Sequence, residues 1–228
     1  MSDPTNAPVR LRIDFVSDVV CPWCAIGLAA LEQALERTRG EVEADIHFQP
    51  FELNPGMAAG GEDAVEHLQR KYGMPPAQLE ANQQAIVERG AALGFTFDMD
   101  RRRRIHNTFD AHRLLHWAEA EGRARELKHA LLRGYFTEGR DVSDHDTLAD
   151  IAAAAGLPAD GARRILAGDM YADEVRIAEQ FFQANGIRSV PAVILERKHL
   201  VSGGQPVDVF EQALRQVAAA KLAGAASA

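Results

Sequence analysis

Between Val9 and Asp18 apolar and polar positions alternate, with Val9, Leu11, Ile13 and Phe15 in step. A period of two is that of a half-buried strand. The period then lengthens. In CPWCAIGLAALEQALERTRG, Ile26, Leu28, Leu31 and Leu35 sit at helical spacing, Pro22 fits a first helical turn and Gly40 is a stop. VEADIHFQPFELN, from Val42 to Asn54, predicts a second strand running into a loop. The first fifty residues therefore predict strand, helix, strand, a βαβ unit.

From Glu62 to Asn185 the chain is mostly Ala, Leu, Glu, Gln and Arg at helical spacing. Helices are predicted over Ala64–Tyr72, Pro76–Leu93, Arg104–Glu121, Arg123–Thr137, Asp146–Ala155, Asp160–Ala167 and Ala172–Asn185, with glycines such as Gly73, Gly94 and Gly186 as stops. Phe95–Asp100 is too short to assign. Strand patterns return in PAVILE (Pro191–Glu196) and HLVSGG (His199–Gly204), with Arg197 and Lys198 as the hairpin residues between them. PVDVFEQALRQVAAAKLA predicts a terminal helix with Pro206 near its start, and the tail Gly224–Ala228 is expected to fray. One sheet built from both ends of the chain, covered by a helical insertion, satisfies all of these patterns.

Composition narrows the function. A chain of 228 residues with 46% hydrophobic content can bury a core without staples. A formal net charge of −8 argues against nucleic acid as a partner. There is no apolar run of 18 residues, so no membrane span is expected. MSDPTNAPVRLRIDF has no basic start followed by an apolar stretch, so no signal peptide is expected. The expected compartment is the cytoplasm, which keeps thiols reduced.

Against that background the two cysteines, Cys21 and Cys24, stand out. They are separated by two residues and lie where the strand pattern gives way to the helix pattern. A thiolate, not a thiol, attacks a disulfide, and a helix N-terminus favours negative charge. Cys21 falls at that end. Cys24 lies one turn further in, more buried and less nucleophilic, placed to resolve a mixed disulfide. Other readings are a zinc site, a structural disulfide and an inert pair. Zinc would need a second pair of ligands, for which His112 and His116 at helical spacing are distant candidates. Haem attachment would need a histidine at position 25, which is Ala. Far along the chain, SVPAVIL places Val190–Pro191 at the start of a strand, where proline is allowed and a cis bond is one option.

With CPWC after a strand, a helical insertion, and SVPAVIL before a strand, the chain resembles the DsbA-type thioredoxin-fold disulfide oxidoreductases, and within them the FrnE-like branch. DFVSDVVCPWC, PFELNP, NTFDAHRLLHWA and VSGGQP support this in order along almost the whole chain. The resemblance implies an α/β thioredoxin fold (βαβ…ββα) with a large all-helical insertion. It assigns residues 1–55 and 186–228 to the thioredoxin-like part and 56–185 to the insertion. It makes Cys21 the attacking and Cys24 the resolving cysteine, and Pro191 the cis-proline beside them, with the Val190 backbone free to pair with a bound peptide. It implies no metal or organic cofactor, only the redox-active disulfide with glutathione as a candidate co-substrate. Expected partners are thiol or disulfide substrates, with glutathione or thioredoxin among them. The same superfamily holds 2-hydroxychromene-2-carboxylate isomerases and kappa-class glutathione transferases, the alternative reading. Those relatives usually carry serine at the first cysteine position, unlike this chain. A second cysteine pair near the C-terminus, present in some FrnE-like proteins, is missing here.

Other residues carry weaker signals. Trp23 adds no charge beside the sulfurs, so the disulfide is expected to be a milder oxidant than one with histidine there. Trp23 is also a candidate apolar contact for substrate. Asp18 reads first as a capping or solvated carboxylate, second as a proton acceptor near Cys24. His112 is the best polar candidate for the pocket from NTFDAHRLLHWA, in which Asn107, Asp110 and Arg113 share one face and His112 and His116 another. Arg101–Arg104 reads first as a solvated helix start, second as an anion site.

Overall fold

A computed structural model of the protein describes residues 7–58 and 60–226. Strand β1 (Val9–Ser17), helix α1 (Pro22–Arg37) and strand β2 (Val42–Pro50) form the expected unit. β1 and β2 run parallel, with Phe15 opposite Phe48. The alternation in β1 describes only its first half. From Ile13 to Ser17 every residue is buried, including Asp14 and Ser17, because helices cover both faces there.

The sheet is completed from the far end of the chain. Strands β5 (Ala192–Leu195) and β6 (His199–Ser202) form an antiparallel hairpin, and β5 lies antiparallel to β1 with Val193 opposite Phe15. The strand order is β2-β1-β5-β6. The hairpin turn differs by one residue from its prediction. Lys198 N donates to Leu195 O at 3.1 Å, so the central residues are Glu196 and Arg197. Their φ angles of 52° and 57° suit the right-handed twist of the strands. The Glu196 carboxylate helps hold the turn by accepting from Arg12 N at 2.7 Å and pairing with Lys221 at 2.8 Å. Helix α9 (Val207–Ala226) packs on α1 and extends into the segment expected to fray; residues 227 and 228 lie outside the described residues. So does the beginning of the stretch read for a signal peptide, residues 1–6.

Between β2 and β5 run α2 (Ala64–Tyr72), α3 (Pro76–Ala92), α4 (Phe109–Ala120), α5 (Ala124–Phe136), α6 (His145–Ala154), α7 (Ala159–Leu166) and α8 (Ala172–Ala184). Local chemistry fixes their ends. The Asp63 side chain accepts from Val65 N and Glu66 N to start α2, and Gly73 ends it in the left-handed region at φ 63°. The main departure is at α4, which begins five residues after the predicted Arg104. Arg104–Ile105 is instead a short strand, β4, antiparallel to β3 (Glu62–Asp63). Asn107 Oδ1 then accepts from Phe109 N at 2.9 Å, an Asx-type turn that starts the helix late. Phe95–Asp100 is irregular, and Phe97 packs edge-on against Phe136 with centroids 5.0 Å apart. No helix among the described residues is long and apolar enough to cross a membrane.

One continuous apolar core joins the sheet to the helices: Leu11, Ile13 and Phe15 pack in the same cluster as Leu114, Leu127 and Leu131. Each such side chain contributes about 1.5–3 kcal/mol on burial. A smaller cluster gathers Val16, Cys21, Cys24, Phe51, Phe182 and Val190. The sulfurs thus sit at the edge of the core, where the sheet's C-terminal ends meet the helical block.

Candidate active site

β1 ends at Ser17, a tight turn follows, and Cys21 becomes the N-cap residue of α1. Its side chain caps nothing, but its carbonyl accepts from Cys24 N at 3.0 Å, so the first turn winds around it. Pro22 at the first helical position lacks the N–H that would have gone unpaired there. The Cys21 sulfur lies 3.7 Å from the Val190 carbonyl oxygen, and the Val190–Pro191 bond is cis. The α1 backbone and the Pro191 loop meet closely at Gly27, where an added Cβ would fall 2.9 Å from Pro191 Cγ. Both cysteines are free thiols, Cys21 with 4% of its surface exposed and Cys24 with none. The structure therefore brings Cys21, Cys24, Val190 and Pro191 together from opposite ends of the sequence.

Behind Cys24 lies a closed group of charged side chains. Asp18 is fully buried and does not cap α1, which overturns its reading as a cap or solvated carboxylate. Asp18 Oδ2 accepts from Leu53 N at 2.7 Å, and Oδ1 lies 3.5 Å from His112 Nε2, within ion-pair distance but outside hydrogen-bond geometry. Burial alone would raise the Asp18 carboxyl; His112, the Leu53 N–H and Thr108 outweigh it and hold the group below the usual carboxylate range. His112 is itself only 2% exposed, so it faces Asp18 and not an open pocket.

Lys128 on α5 belongs to the same group. It is fully buried and its Nζ has no hydrogen-bond partner; the Phe48 ring lies 6.0 Å away. Burial lowers the ammonium's pKa, with Cys24, Asp18 and Cys21 acting in the opposite sense. Burial, and then the adjacent Cys21 sulfur, push the Cys24 thiol well above the ordinary range, while Lys128 and a hydrogen bond from the Asp18 backbone pull it back. The sequence carries a sign of Lys128: it stands at the helical spacing of Ala124, Leu127, Leu131 and Tyr135, where an apolar residue belongs.

The outer side is different. Trp23 is 36% exposed, and the Arg89 guanidinium of α3 lies 5.1 Å from its ring centroid while donating to Gly204 O at 2.9 Å. Sequence reasoning gave no sign of Arg89. The end of α2 brings Lys71, which donates to Leu53 O and Asn54 Oδ1 at 2.7 Å each, and Tyr72, half exposed. Burial lowers the Lys71 ammonium, with Asp18 and Cys21 opposing. Nearby, Glu52 and Glu179 share Arg176, which stacks 3.8 Å from the Phe109 centroid. Burial pushes the Glu52 carboxyl up, Arg176 opposes it, and Glu179 adds to the rise.

The other candidates on α4 separate. His116 is exposed and meets the Tyr171 ring at a tilt, with centroids 5.2 Å apart. Arg113 is a structural tie, paired with Asp110 at 2.7 Å and donating to the carbonyls of Ile165, Gly168 and Met170. Asn107 serves the start of its own helix. Among the described residues, no three His, Cys, Asp or Glu side chains form a group that could hold a metal ion.

A sheet built from both chain ends, two cysteines at the first helix and a cis-proline facing them define a class. The chain belongs to the DSBA-like thioredoxin domain family, whose model matches residues 12–215. It is similar to the probable DsbA oxidoreductase SCO1869 of Streptomyces coelicolor, at 40% identity over 90% of this chain and 89% of that one, with a TM-score of 0.83. YwbO of Bacillus subtilis (strain 168) is 27% identical over 207 residues, spanning 90% of this chain and 96% of that protein. In fold alone the chain also matches the cytosolic disulfide reductase DsbM of Pseudomonas aeruginosa, solved with GSH, at 18% identity and a TM-score of 0.62 over 90% of this chain and 98% of that one.

Proposed function

We propose that the protein exchanges thiols and disulfides by cycling the Cys21–Cys24 pair. The observation that carries this reading is the Cys21 sulfur at the start of α1, 3.7 Å from the Val190 carbonyl and facing Pro191, with Cys24 closed in behind it. In the reducing direction, the Cys21 thiolate attacks one sulfur of a substrate disulfide. A Cys21–substrate disulfide forms and the other substrate sulfur leaves as a thiolate. Cys24 then gives up its proton and attacks the Cys21 sulfur, so that the internal disulfide forms and the second substrate thiolate leaves. The substrate gains two electrons and the pair loses two. The reverse sequence oxidises a dithiol.

Each neighbour has a place in this cycle. Val190 and Pro191 border the approach to Cys21, and Trp23 offers substrate an apolar contact at the mouth. Lys128 favours the Cys24 thiolate as its proton leaves, and Asp18, positioned by His112, helps keep Lys128 charged. With no histidine between the cysteines, the disulfide is a mild oxidant. Glutathione is the proposed reductant, two molecules being oxidised to one glutathione disulfide as the pair is reduced; the GSH held by the fold neighbour DsbM supports this. A cytoplasmic setting is supported by that same neighbour's description as cytosolic.

The test is insulin reduction driven by glutathione, with Cys21→Ser and Cys24→Ser variants. Cys21→Ser is expected to lose turnover. Cys24→Ser is expected to accumulate a mixed disulfide on Cys21, visible by mass spectrometry. Full turnover in Cys21→Ser would overturn the reading. Equilibration with glutathione buffers measures the potential, and a strongly oxidising value would contradict the mild poise.

A further inference from the structure

The run Arg101–Arg104 does not start a helix, and while Arg101, Arg103 and Arg104 are exposed as expected, Arg102 is buried. The run folds into one wall of a concavity of about 300 Å³, completed by His106, Tyr135, Gly139, Arg140 and Asp141. None of these residues belongs to the cysteine site. Arg102 is buried at 7% exposure, held by its Nε donating to Tyr135 Oη at 3.1 Å, and Tyr135 Oη donates on to Arg104 O at 2.9 Å. The opposite wall comes close because residue 139 is glycine. Its φ is +70°, and an added Cβ would fall 2.7 Å from Arg101 O and Cβ.

The charge here is unbalanced. Five arginines and one aspartate line the cavity. Arg101 pairs with Asp98 at 3.1 Å and Arg140 with Asp150 at 3.6 Å. Arg102, Arg103 and Arg104 have no carboxylate partner among the described residues; their hydrogen bonds go to a phenol and to backbone carbonyls. Asp141 accepts from Ser143 N and Oγ and lies 2.9 Å from His106 Nδ1, outside hydrogen-bond geometry. His106 is 6% exposed, and that nitrogen has no hydrogen-bond partner. A chain of net charge −8 has thus concentrated positive charge at one open hollow, where low-dielectric walls strengthen its field.

We propose that this cavity binds the phosphate or pyrophosphate group of a small molecule. Guanidinium groups present paired N–H donors whose spacing matches phosphate oxygens, and several such groups around one hollow favour a polyvalent anion over a monocarboxylate. The free volume suits a phosphate group with a small attachment, not a folded partner.

Calorimetric titration of the full protein with inorganic phosphate, pyrophosphate and adenosine diphosphate tests this, with succinate as the carboxylate control. Pyrophosphate is expected to bind with one-to-one stoichiometry, more weakly as salt is raised. Stronger binding of the diphosphate nucleotide than of pyrophosphate would identify a phosphate ester as the ligand; the reverse would identify the free anion. Both outcomes support the site. Arg102→Gln is expected to weaken binding roughly tenfold or more, the scale of one charge-assisted contact. Because Arg102 is buried, Arg103→Gln, on an exposed side chain, and Gly139→Ala, which crowds the wall, serve as independent variants. Insulin reduction by Arg103→Gln should match the unsubstituted protein. Failure of all three phosphate probes to bind, equal binding of succinate, or unchanged affinity in all three variants would overturn the proposal.

Discussion

The cluster behind Cys24 and the cavity of Arg101–Arg104 both hold charge that nearby groups do not fully balance, and they differ in access to water. Asp18 and Lys128 are sealed, so their charges act on one another and on a sulfur. Apart from the buried Arg102, the arginines open onto a hollow, so their field acts on whatever arrives from solvent. Sealed charge costs stability and tunes a neighbour; open charge costs little, since water screens it, and is available for a ligand. Substitutions at the two places should therefore be read by different measurements.

The largest effect is expected at the sulfur itself. Cys21→Ser should abolish thiol–disulfide turnover while leaving the thermal midpoint within a few degrees, a contrast that activity assay and calorimetry together check. Next comes Asp18→Asn. It should slow the Cys24 step by roughly tenfold, because Lys128 loses the carboxylate that helps keep it charged beside the sulfur, measured as slower release of the mixed disulfide in stopped flow. Its folded-state carboxyl is held below the usual value of 3.8, so it adds stability above that pH and loses it as pH falls through the folded value. The variant's stability should therefore respond less to acid. If Asp18→Asn leaves both quantities unchanged, the sealed cluster tunes nothing.

Lys128→Met should raise stability at pH 7 by about 1–2 kcal/mol, because it removes a buried ammonium with no hydrogen-bond partner. The sign of its pH dependence is fixed by the lowered folded-state value. The cost is present while the native lysine is charged and fades as pH rises towards 10.5, the ordinary value. Denaturant unfolding at neutral and alkaline pH should show the variant's advantage shrinking. The smallest effect is expected at the open cavity, where Arg103→Gln should change stability by no more than about 0.5 kcal/mol. A larger change would make that wall part of the scaffold and erase the contrast.

The sheet and the cysteine site were largely legible because their signals are local or carried by few residues. Alternation marks β1, and Pro191 opens the segment that pairs with it. The late start of α4 was hidden because Arg104 and Ile105 fit a helix by spacing. Only pairing with Glu62–Asp63, distant in sequence, makes them a strand. Asp18 was misjudged, and Lys128 missed, for a related reason. Polar types read as solvated unless the position they occupy is weighed, and Lys128 stands on an apolar stripe that says it is buried. Arg89 over Trp23 and the walls around Arg102 depend on segments meeting in space, which no short window of sequence records.

The sheet assembled from both ends of the chain has a consequence for synthesis. β1, Cys21 and Cys24 leave the ribosome early, while Val190, Pro191 and β5, which cover the sulfurs and flank β1, are made only after the whole helical block. At about 5–20 residues per second, that interval is on the order of ten seconds or more. Throughout it, the nascent chain carries two thiols without their lid and a central strand paired on one edge only. The newborn protein's two thiols are thus open to oxidation before anything covers them, and its yield should depend on the redox state in which it is translated.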